Sequence, residues 1–260
     1  MFNQHVFEQL LATSWLGQSF LYQEELDSTN TYLKDIDRGE LVHGLTVLAD
    51  TQTHGRGQYK RTWFAEPQKN LTFSMAFMPT KPERFHVLTL AFALAISEYV
   101  ETVTEKESHI KWANDVYVDG KKIAGLLTET IFSGQKLNRI IIGIGFNVNQ
   151  SEFGDEVSDI AISLSRITDK EFRREHVLSD LLTRCEHYYR LWHQQDRNLI
   201  KKINNRLIGI GEWIQLEVNN ELIDGIYKFI GINERGNLLV LNKELEAHTF
   251  SYEQIKVHLT

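Results

Sequence analysis

The sequence predicts an α+β fold, in which a mixed, mostly antiparallel sheet packs against helices and a small β-barrel follows. Short apolar segments separated by turn residues recur along the chain, and hairpin signals such as Asp119-Gly120 join several of them. Two long stretches, residues 83–104 and 170–192, carry apolar residues at helical spacing. Beyond Leu207 only short strands are indicated, so the predicted domains are residues 1–207 and residues 208–260.

The N-terminal segment is predicted to form a short helix from His5 to about Trp15 and a brief strand at residues 20–22. Asp27-Ser28-Thr29-Asn30 then offers four side chains that can cap the next helix, whose apolar residues begin at Tyr32. One cap requires fewer polar side chains than this segment provides. The additional polar side chains indicate that this helix N-terminus also binds a polar ring or an anion. The simpler alternative is that these side chains only cap the helix.

A polar loop joins two predicted strands at residues 45–49 and 70–77, and it carries two glycines, three cations and a tryptophan. The loop reads Thr51-Gln52-Thr53-His54-Gly55-Arg56-Gly57-Gln58-Tyr59-Lys60-Arg61-Thr62-Trp63. Glycines let backbone N–H groups approach a ligand closely, and the cations add positive charge to a chain whose formal net charge is −7. The loop therefore indicates an anion-binding nest, although a Gly-Arg-Gly fragment alone is also typical of a solvated connection.

The middle of the chain is predicted to supply the remaining strands of the sheet, at residues 109–112, 116–118, 122–127 and 139–148. Hairpin turns are expected at Asp119-Gly120 and Ser133-Gly134. Lys111 leaves the end of its strand next to Asn114 and Asp115, where a surface lysine beside an Asx turn is the alternative to a ligand site. The glycines of the last strand would allow a ligand or another backbone to come close.

The C-terminal part begins with an irregular acidic loop at residues 150–162, followed by helices at residues 170–192 and 196–207. Turn signals then separate short apolar segments, which is typical of a barrel of about five strands. These turns fall at Asn219-Asn220, Asp224-Gly225, Glu234-Arg235-Gly236-Asn237 and Lys243-Glu244.

The composition argues against several classes of protein. Hydrophobic residues make up 42% and charged residues 24% of the 260 residues, as in ordinary globular domains. The negative net charge opposes general binding to a nucleic-acid backbone. The single cysteine, Cys185, cannot form an internal disulfide and lies in a helical apolar pattern that indicates packing. No secretory signal and no apolar run of membrane-spanning length are expected, so a cytoplasmic protein is predicted.

Five motifs together resemble those of the biotin protein ligases, also called biotin–acetyl-CoA-carboxylase ligases or holocarboxylase synthetases. In chain order they are Asp27-Ser28-Thr29-Asn30, Gln52 with Gly55-Arg56-Gly57 and Trp63, Lys111-Trp112-Ala113-Asn114-Asp115, Lys122-Ile123-Ala124-Gly125, and Gly143-Ile144-Gly145-Phe146-Asn147. The resemblance is strong from Leu26 to Ser165 and weaker in the barrel. It implies a class II synthetase-like catalytic domain of the biotin and lipoate ligase fold, with a C-terminal SH3-like barrel.

The resemblance implies two half-reactions, in which biotin and ATP form biotinyl-5′-AMP and pyrophosphate, and a lysine of a biotin carboxyl carrier domain then attacks the mixed anhydride. Lys111 and Arg56 are the implied catalytic residues. The implied biotin-binding residues are Ser28, Thr29, Asn30, Gln52, Gly55, Arg56, Gly57, Gln58, Lys111 and Gly125. The implied ATP- or adenylate-binding residues are Arg56, Arg61, Trp63, Lys111, Asn114 and Asn147. Lys122 is implied to contact the carrier domain, and Asp115 to bind Mg²⁺ that accompanies ATP.

The sequence departs from the usual family motifs at Gln58, Lys60 and Ala113, where arginine, glycine and proline respectively are common. The first two lie in the anion-binding loop, where they would change how tightly the adenylate is held. The motif at Asp27 lies too near the N-terminus to leave room for a helix-turn-helix domain, so a ligase without a repressor role and without a DNA partner is expected. No membrane partner is expected, and exposed sheet edges favour a side-by-side homodimer.

Three other functions fit parts of the pattern. A lipoate or octanoyl ligase shares the implied fold and acyl-adenylate chemistry, but its Arg-Arg-x-x-Gly-Gly-Gly type of motif is absent. A noncatalytic module that binds biotin or a carrier domain is opposed by the presence of Lys111 and Arg56. A small-barrel nucleic-acid binder is opposed by the negative net charge.

Overall fold

The computed structural model describes residues 1–37, 39–58, 61–78, 84–134, 136–155, 157–218, 221–251 and 255–259. The helices are α1 (Gln4–Leu10), α2 (Thr29–Asp35), α3 (Phe85–Thr104), α4 (Leu164–Thr168), α5 (Arg174–His193) and α6 (Arg197–Asn204). The strands are β1 (Phe20–Leu26), β2 (Thr46–Gln52), β3 (Leu71–Phe77), β4 (Ser108–Lys111), β5 (Asp115–Val118), β6 (Lys121–Ser133), β7 (Lys136–Phe146), β8 (Trp213–Val218), β9 (Glu221–Leu222), β10 (Tyr227–Ile232), β11 (Leu238–Leu241), β12 (Ala247–Phe250) and β13 (Ile255–Leu259). Lys60, the expected helix start at Glu83 and the turn at Asn219-Asn220 lie outside the described residues.

Seven strands form the larger sheet, in the order β1-β2-β3-β7-β6-β5-β4. Only β1 and β2 pair in parallel among these described strands, and α2 lies in the connection that a parallel pair requires. The prediction of a mixed, mostly antiparallel sheet packed with helices is confirmed. At the centre, β7 pairs with β3 on one side and with β6 on the other.

Helix α3 forms the centre of the apolar core. Its predicted stripe is buried from Leu88 to Tyr99, and Val103 is partly buried at its end. By length and composition α3 could cross a membrane, contrary to the expectation from the sequence. Most of the helix is packed inside the protein, however, which accounts for its apolar composition as that of a core helix. Cys185 packs in the same core, and burial raises the pKa of its thiol.

Helix α1 ends at Leu10, so the predicted helix to Trp15 is too long. The reason is a long-range contact: the Glu186 carboxylate of α5 accepts the backbone N–H groups of Ser14, Trp15 and Leu16. Those N–H groups are thereby satisfied without a helical turn. Burial alone would raise the pKa of Glu186, but these N–H groups hold it below its usual range.

Four other element predictions also required correction. Strand β1 continues to Leu26 beyond the predicted end at Tyr22, and the short helix α4 was not expected. Helix α5 begins at Arg174 instead of Lys170. Strand β3 is buried on both faces although its alternating sequence is typical of a half-exposed strand, because Thr72 and Ser74 face a polar, enclosed part of the protein.

The second sheet is antiparallel and contains six strands in place of the expected five or so. Its order is β12-β11-β10-β8-β13, and β9 pairs with β8. A β-bridge between Ile110 and Leu207 connects the chain segment before this sheet to the edge of β4. The apolar core continues from α3 into the second sheet through Ile214 and Phe229. The division at Leu207 stays a prediction.

A buried ion pair ties α5 to the larger sheet. Arg174 Nη1 lies 2.6 Å from Asp50 Oδ1, and both side chains are almost fully buried. Tyr22 donates its hydroxyl proton to the other Asp50 oxygen at 2.6 Å, and Arg174 also donates to the Asn70 carbonyl oxygen at 3.2 Å. Burial first, and the Asp50 carboxylate second, raise the pKa of Tyr22 to about 12. The Tyr22 hydroxyl therefore stays protonated and donates a hydrogen bond to the Asp50 carboxylate.

Candidate functional site

A cavity of about 440 Å³ lies over the central strands of the larger sheet. Its walls come from the N-terminus of α2, loop residues 56–58 and 61–64, the turn after β4, loop residues 153, 157, 160 and 161, and strand β13. Of the site residues indicated by the motifs, all except Gly55 line it: Ser28, Thr29, Asn30, Gln52, Arg56, Gly57, Gln58, Arg61, Trp63, Lys111, Asn114, Asp115, Lys122, Gly125 and Asn147. The fold thus brings together motifs that are far apart in the sequence.

The floor of the cavity carries three glycines that give space to side chains of the protein itself. A Cβ added at Gly143 would lie 2.3 Å from Asn30 Oδ1, and one at Gly145 would lie 2.2 Å from the Trp63 ring. At Gly125 the added atom would meet the Lys122 side chain at 2.9 Å. The glycines were expected to admit a ligand or another backbone. In the structure the space next to them is occupied by the side chains of Asn30, Trp63 and Lys122.

The N-terminus of α2 is both capped and connected to the floor. Ser28 is the N-cap residue, as predicted. Gln52 Oε1 accepts from the Thr29 N–H at 2.8 Å, and Thr29 Oγ1 lies 3.1 Å from Gln52 Oε1 and 2.6 Å from Ser74 Oγ. Ser74 in turn donates to Asn30 Oδ1 at 2.6 Å. The polar surplus before α2 therefore forms one buried hydrogen-bond network with its side chains fixed in place.

The glycine-containing loop folds back on itself and is not an open anion nest. The Gly57 N–H donates to the Arg61 carbonyl oxygen at 2.7 Å, and the Trp63 N–H donates to the Gly55 carbonyl oxygen at 3.0 Å. Gly55 packs so closely on Trp63 that an added Cβ would lie 2.3 Å from the Trp63 carbonyl oxygen. The Gly57 amide therefore closes the loop in this structure, and the binding of an anion by this loop stays a prediction.

The four cations of the site have different environments. Lys122 Nζ lies 2.8 Å from Asp115 Oδ1 and 5.5 Å from the centre of the Trp63 ring. Arg56 forms an ion pair with Glu129, and Arg61 lines the cavity with an exposed side chain. No carboxylate of the described chain pairs with Lys111 or Arg61, but Lys111 is only partly exposed and its Nζ lies 5.8 Å above the Tyr117 ring. Lys111 is therefore the less solvated of the two unpaired cations and the better placed to bind an anionic ligand.

Two asparagines at the cavity wall hold loops in position. Asn114 Nδ2 donates to the Leu126 carbonyl oxygen, and Asn147 Nδ2 donates to the Ile162 carbonyl oxygen at 3.1 Å. Both residues are buried, and the Trp112–Ala113 peptide bond in the same turn is cis. Each contact uses one of the two N–H groups of its amide, which leaves the second N–H and the carbonyl oxygen for a ligand.

Several lining residues were not indicated by the motifs. Thr72 faces the cavity from β3, and Tyr117 faces it from β5, where burial first and Asp115 second raise the pKa of its phenol to about 12. The polar positions of β3 were the available signal for Thr72. Strand β13 adds Val257 and His258, for which the sequence carried no signal because only the tertiary fold brings this strand to the cavity.

Comparison with known proteins agrees with this geometry. A model described as the biotin/lipoate A/B protein ligase family matches residues 22–147. The bifunctional ligase/repressor BirA of Bacillus spizizenii is 33% identical over 238 residues, which cover 90% of this chain and 73% of that protein. The biotin–[acetyl-CoA-carboxylase] ligase of Mycobacterium tuberculosis is 29% identical over 185 residues, covering 69% of this chain and 67% of the relative.

Among solved structures, the biotin protein ligase from Aquifex aeolicus in complex with biotin and ATP superimposes with a TM-score of 0.80 at 31% identity. The match covers 94% of this chain and 100% of that chain. It therefore includes both sheets and the cavity between their elements. The chain belongs to the biotin/lipoate A/B protein ligase family, as one of its biotin protein ligases.

Proposed function

We propose that this chain activates biotin with ATP to biotinyl-5′-AMP and transfers the biotinyl group to a lysine of a biotin carboxyl carrier domain. The observation that carries the proposal is Lys111, a cavity-lining ammonium that no carboxylate of the described chain neutralises. The similar Aquifex protein was solved with biotin and ATP, which supports the same two substrates here.

The first half-reaction must bring two anions together. An oxygen of the biotin carboxylate attacks the α-phosphorus of ATP, a new P–O bond forms, and the bond to pyrophosphate breaks. Lys111 would lie between the carboxylate and the α-phosphate, where it offsets charge that concentrates as the bond forms. Arg56 supplies a second permanent charge at the same cavity.

The neutral end of biotin requires orientation without charge. Thr29, Gln52 and their neighbours at the α2 N-terminus offer hydroxyl and amide groups in a buried network that is already ordered. An ordered network of this kind binds a urea-like ring with little loss of side-chain entropy. Trp63, which packs on Gly145, supplies an apolar wall for the acyl chain.

In the second half-reaction the neutral amine of the acceptor lysine attacks the acyl carbon, AMP leaves with the electrons of the C–O bond, and the new amide nitrogen loses a proton. The acyl adenylate must avoid water until then. The hairpin-like loop around Arg56 and Trp63 lines the cavity and would reduce that access once a ligand is bound.

Mg²⁺ is proposed to accompany the phosphates of ATP. Magnesium prefers oxygen ligands and usually binds one or two carboxylates beside substrate phosphates and waters. No group of three or more metal-binding side chains occurs in the described part of the chain. Asp115 is the carboxylate among the described cavity residues, and one of its oxygens already pairs with Lys122. Asp115 would therefore contribute at most one oxygen, with ATP supplying the others.

The proposed acceptor is the carrier domain of a biotin-dependent carboxylase, as the name of the Mycobacterium relative suggests. A contact of this domain with Lys122 stays a prediction.

Residues 206–208 already pair with the outer edge of β4 through backbone hydrogen bonds to Ile110. We therefore propose that β1, the strand at the opposite end of the sheet, forms the edge of a homodimer. We further propose that the protein acts in the cytoplasm and has neither a DNA nor a membrane partner.

Biotin-dependent exchange of radioactive pyrophosphate into ATP, followed by transfer of labelled biotin to a carrier-domain lysine, tests the function. We expect exchange with biotin, no exchange with lipoate or octanoate, and transfer only when a carrier domain is present. Exchange with lipoate in place of biotin would overturn the proposal. Biotin binding without any exchange would instead identify a noncatalytic module.

The Gly145→Ala variant should bind biotin more weakly and unfold more easily. The added methyl group would lie 2.2 Å from the Trp63 ring, so the indole must leave the floor of the cavity. Overpacking of this kind costs about 1–3 kcal/mol of unfolding free energy. Urea unfolding and calorimetric titration with biotin measure the two effects. Gly39→Ala is the matched control, because no atom lies within 4 Å of its added Cβ. Equal results for both variants would contradict the assigned position of Trp63.

A further inference from the structure

Glu129 of β6 holds the Arg56 side chain, although no motif indicated this carboxylate. Arg56 Nη2 lies 2.8 Å from Glu129 Oε2, and Nη1 donates to Glu129 Oε1 at 3.2 Å. Thr31 Oγ1 accepts a third hydrogen bond from Nη2 at 3.2 Å. Two parallel contacts fix the plane of a guanidinium as well as its position.

Arg56 stands between two cavities, and Glu129 contacts it from the outer one. The second cavity, of about 480 Å³, is lined by both Arg56 and Glu129, whereas the main cavity is lined by Arg56 without Glu129. A guanidinium has five N–H groups. The contacts to Glu129 and Thr31 use three of them, and Arg56 also lines the main cavity.

Glu129 also terminates the hydrogen-bond network of the α2 N-terminus. Its Oε2 accepts from Asn30 Nδ2 at 2.9 Å, and Asn30 Oδ1 accepts from Ser74. An ionised carboxylate only accepts, so Asn30 must turn its NH₂ group toward Glu129 and its oxygen toward Ser74. Ser74 then gives its one proton to Asn30, and Thr29 must be the donor in the Thr29–Ser74 hydrogen bond. One carboxylate thus connects Arg56 to the network that faces the main cavity.

We propose that Glu129 is a positioning residue for adenylate formation, which orients the free N–H groups of Arg56 toward the reacting phosphate. The inference rests on the proposed function and adds to it a residue that touches neither substrate. Preorganised charge stabilises a transition state without reorganisation at the moment of reaction. Glu129 supplies that preorganisation by fixing Arg56 relative to Asn30 and Thr29.

The Glu129→Gln variant isolates the role of the carboxylate. Glutamine retains an oxygen that accepts from Asn30 but loses the charge that holds Arg56. We expect kcat for biotin-dependent pyrophosphate exchange to fall roughly ten- to a hundred-fold, because the reacting groups are less well oriented. KM for biotin should change by less than about two-fold, because the network at Asn30 and Thr29 keeps its polarity.

A double-mutant cycle with Arg56→Ala separates positioning from general damage. If Glu129 acts through Arg56, Glu129→Gln should cause no further loss of kcat in the Arg56→Ala background. Asp119→Asn is the matched control, since it also neutralises the carboxylate of an ion pair, the one with Lys106, which lies outside the cavity. Unchanged kcat in Glu129→Gln, or additive losses in the cycle, would overturn the inference. A wild-type protein without biotin-dependent exchange would instead overturn the proposed function.

Discussion

Replacing Lys111 with alanine should abolish biotin-dependent pyrophosphate exchange while leaving the protein folded. The side chain lies at the end of β4 and lines the cavity, and no ion pair of the described chain depends on it. Removing one group that stabilises developing charge commonly costs on the order of 10²–10³-fold in kcat, and a lysine placed between two anions should cost at least as much.

The stability of the Lys111→Ala variant should stay within about 0.5 kcal/mol of the wild type, because its described contact is a single cation–π interaction at 5.8 Å. Thermal unfolding and the exchange assay measure the two quantities. Lys106→Ala is a suitable control, since Lys106 pairs with Asp119 away from the cavity. Full exchange activity in Lys111→Ala would remove this lysine from the reaction.

Replacing Asp50 with alanine should destabilise the protein by about 3–5 kcal/mol, the usual cost of removing one partner of a buried ion pair. Arg174 is only 6% exposed in its side chain, so its charge would remain buried without a counter-ion. Tyr22 would lose its acceptor at the same time. Urea unfolding measures the loss.

Two further variants show whether the loss comes from the unpaired charge. A double change of Asp50→Ala with Arg174→Met should recover part of the lost stability, because no buried charge remains. Asp119→Asn, which removes an exposed pair, should cost less than about 1 kcal/mol. A loss at Asp50 as small as that at Asp119 would contradict the description of this pair as buried.

The features that could be predicted from the sequence are those set by nearby residues. Ser28 caps α2 as expected. Asp119 and Gly120 both adopt positive φ, of 49° and 73°, which is the conformation that a tight hairpin requires. The apolar stripe of α3 identified the core. Each of these signals lies within one continuous segment of the chain.

The features that could not be predicted depend on contacts between distant segments. Glu186, which binds the chain just after α1, lies about 170 residues further along the sequence, and β13 reaches the cavity only through the second sheet. The glycine loop was interpreted correctly as part of a site, but its internal hydrogen bonds could not be predicted. Composition indicated which groups are present, whereas only the fold shows that the Gly57 amide is occupied.

The order of strands also has a consequence for how the protein folds. The floor of the cavity exists only after β3 has paired with β7, and these strands are separated by α3 and three other strands. Closing so long a loop costs entropy before any contact offsets it, so this pairing should form late and slowly. Ligands should therefore slow the unfolding of the finished protein and have no influence on the first steps of chain collapse.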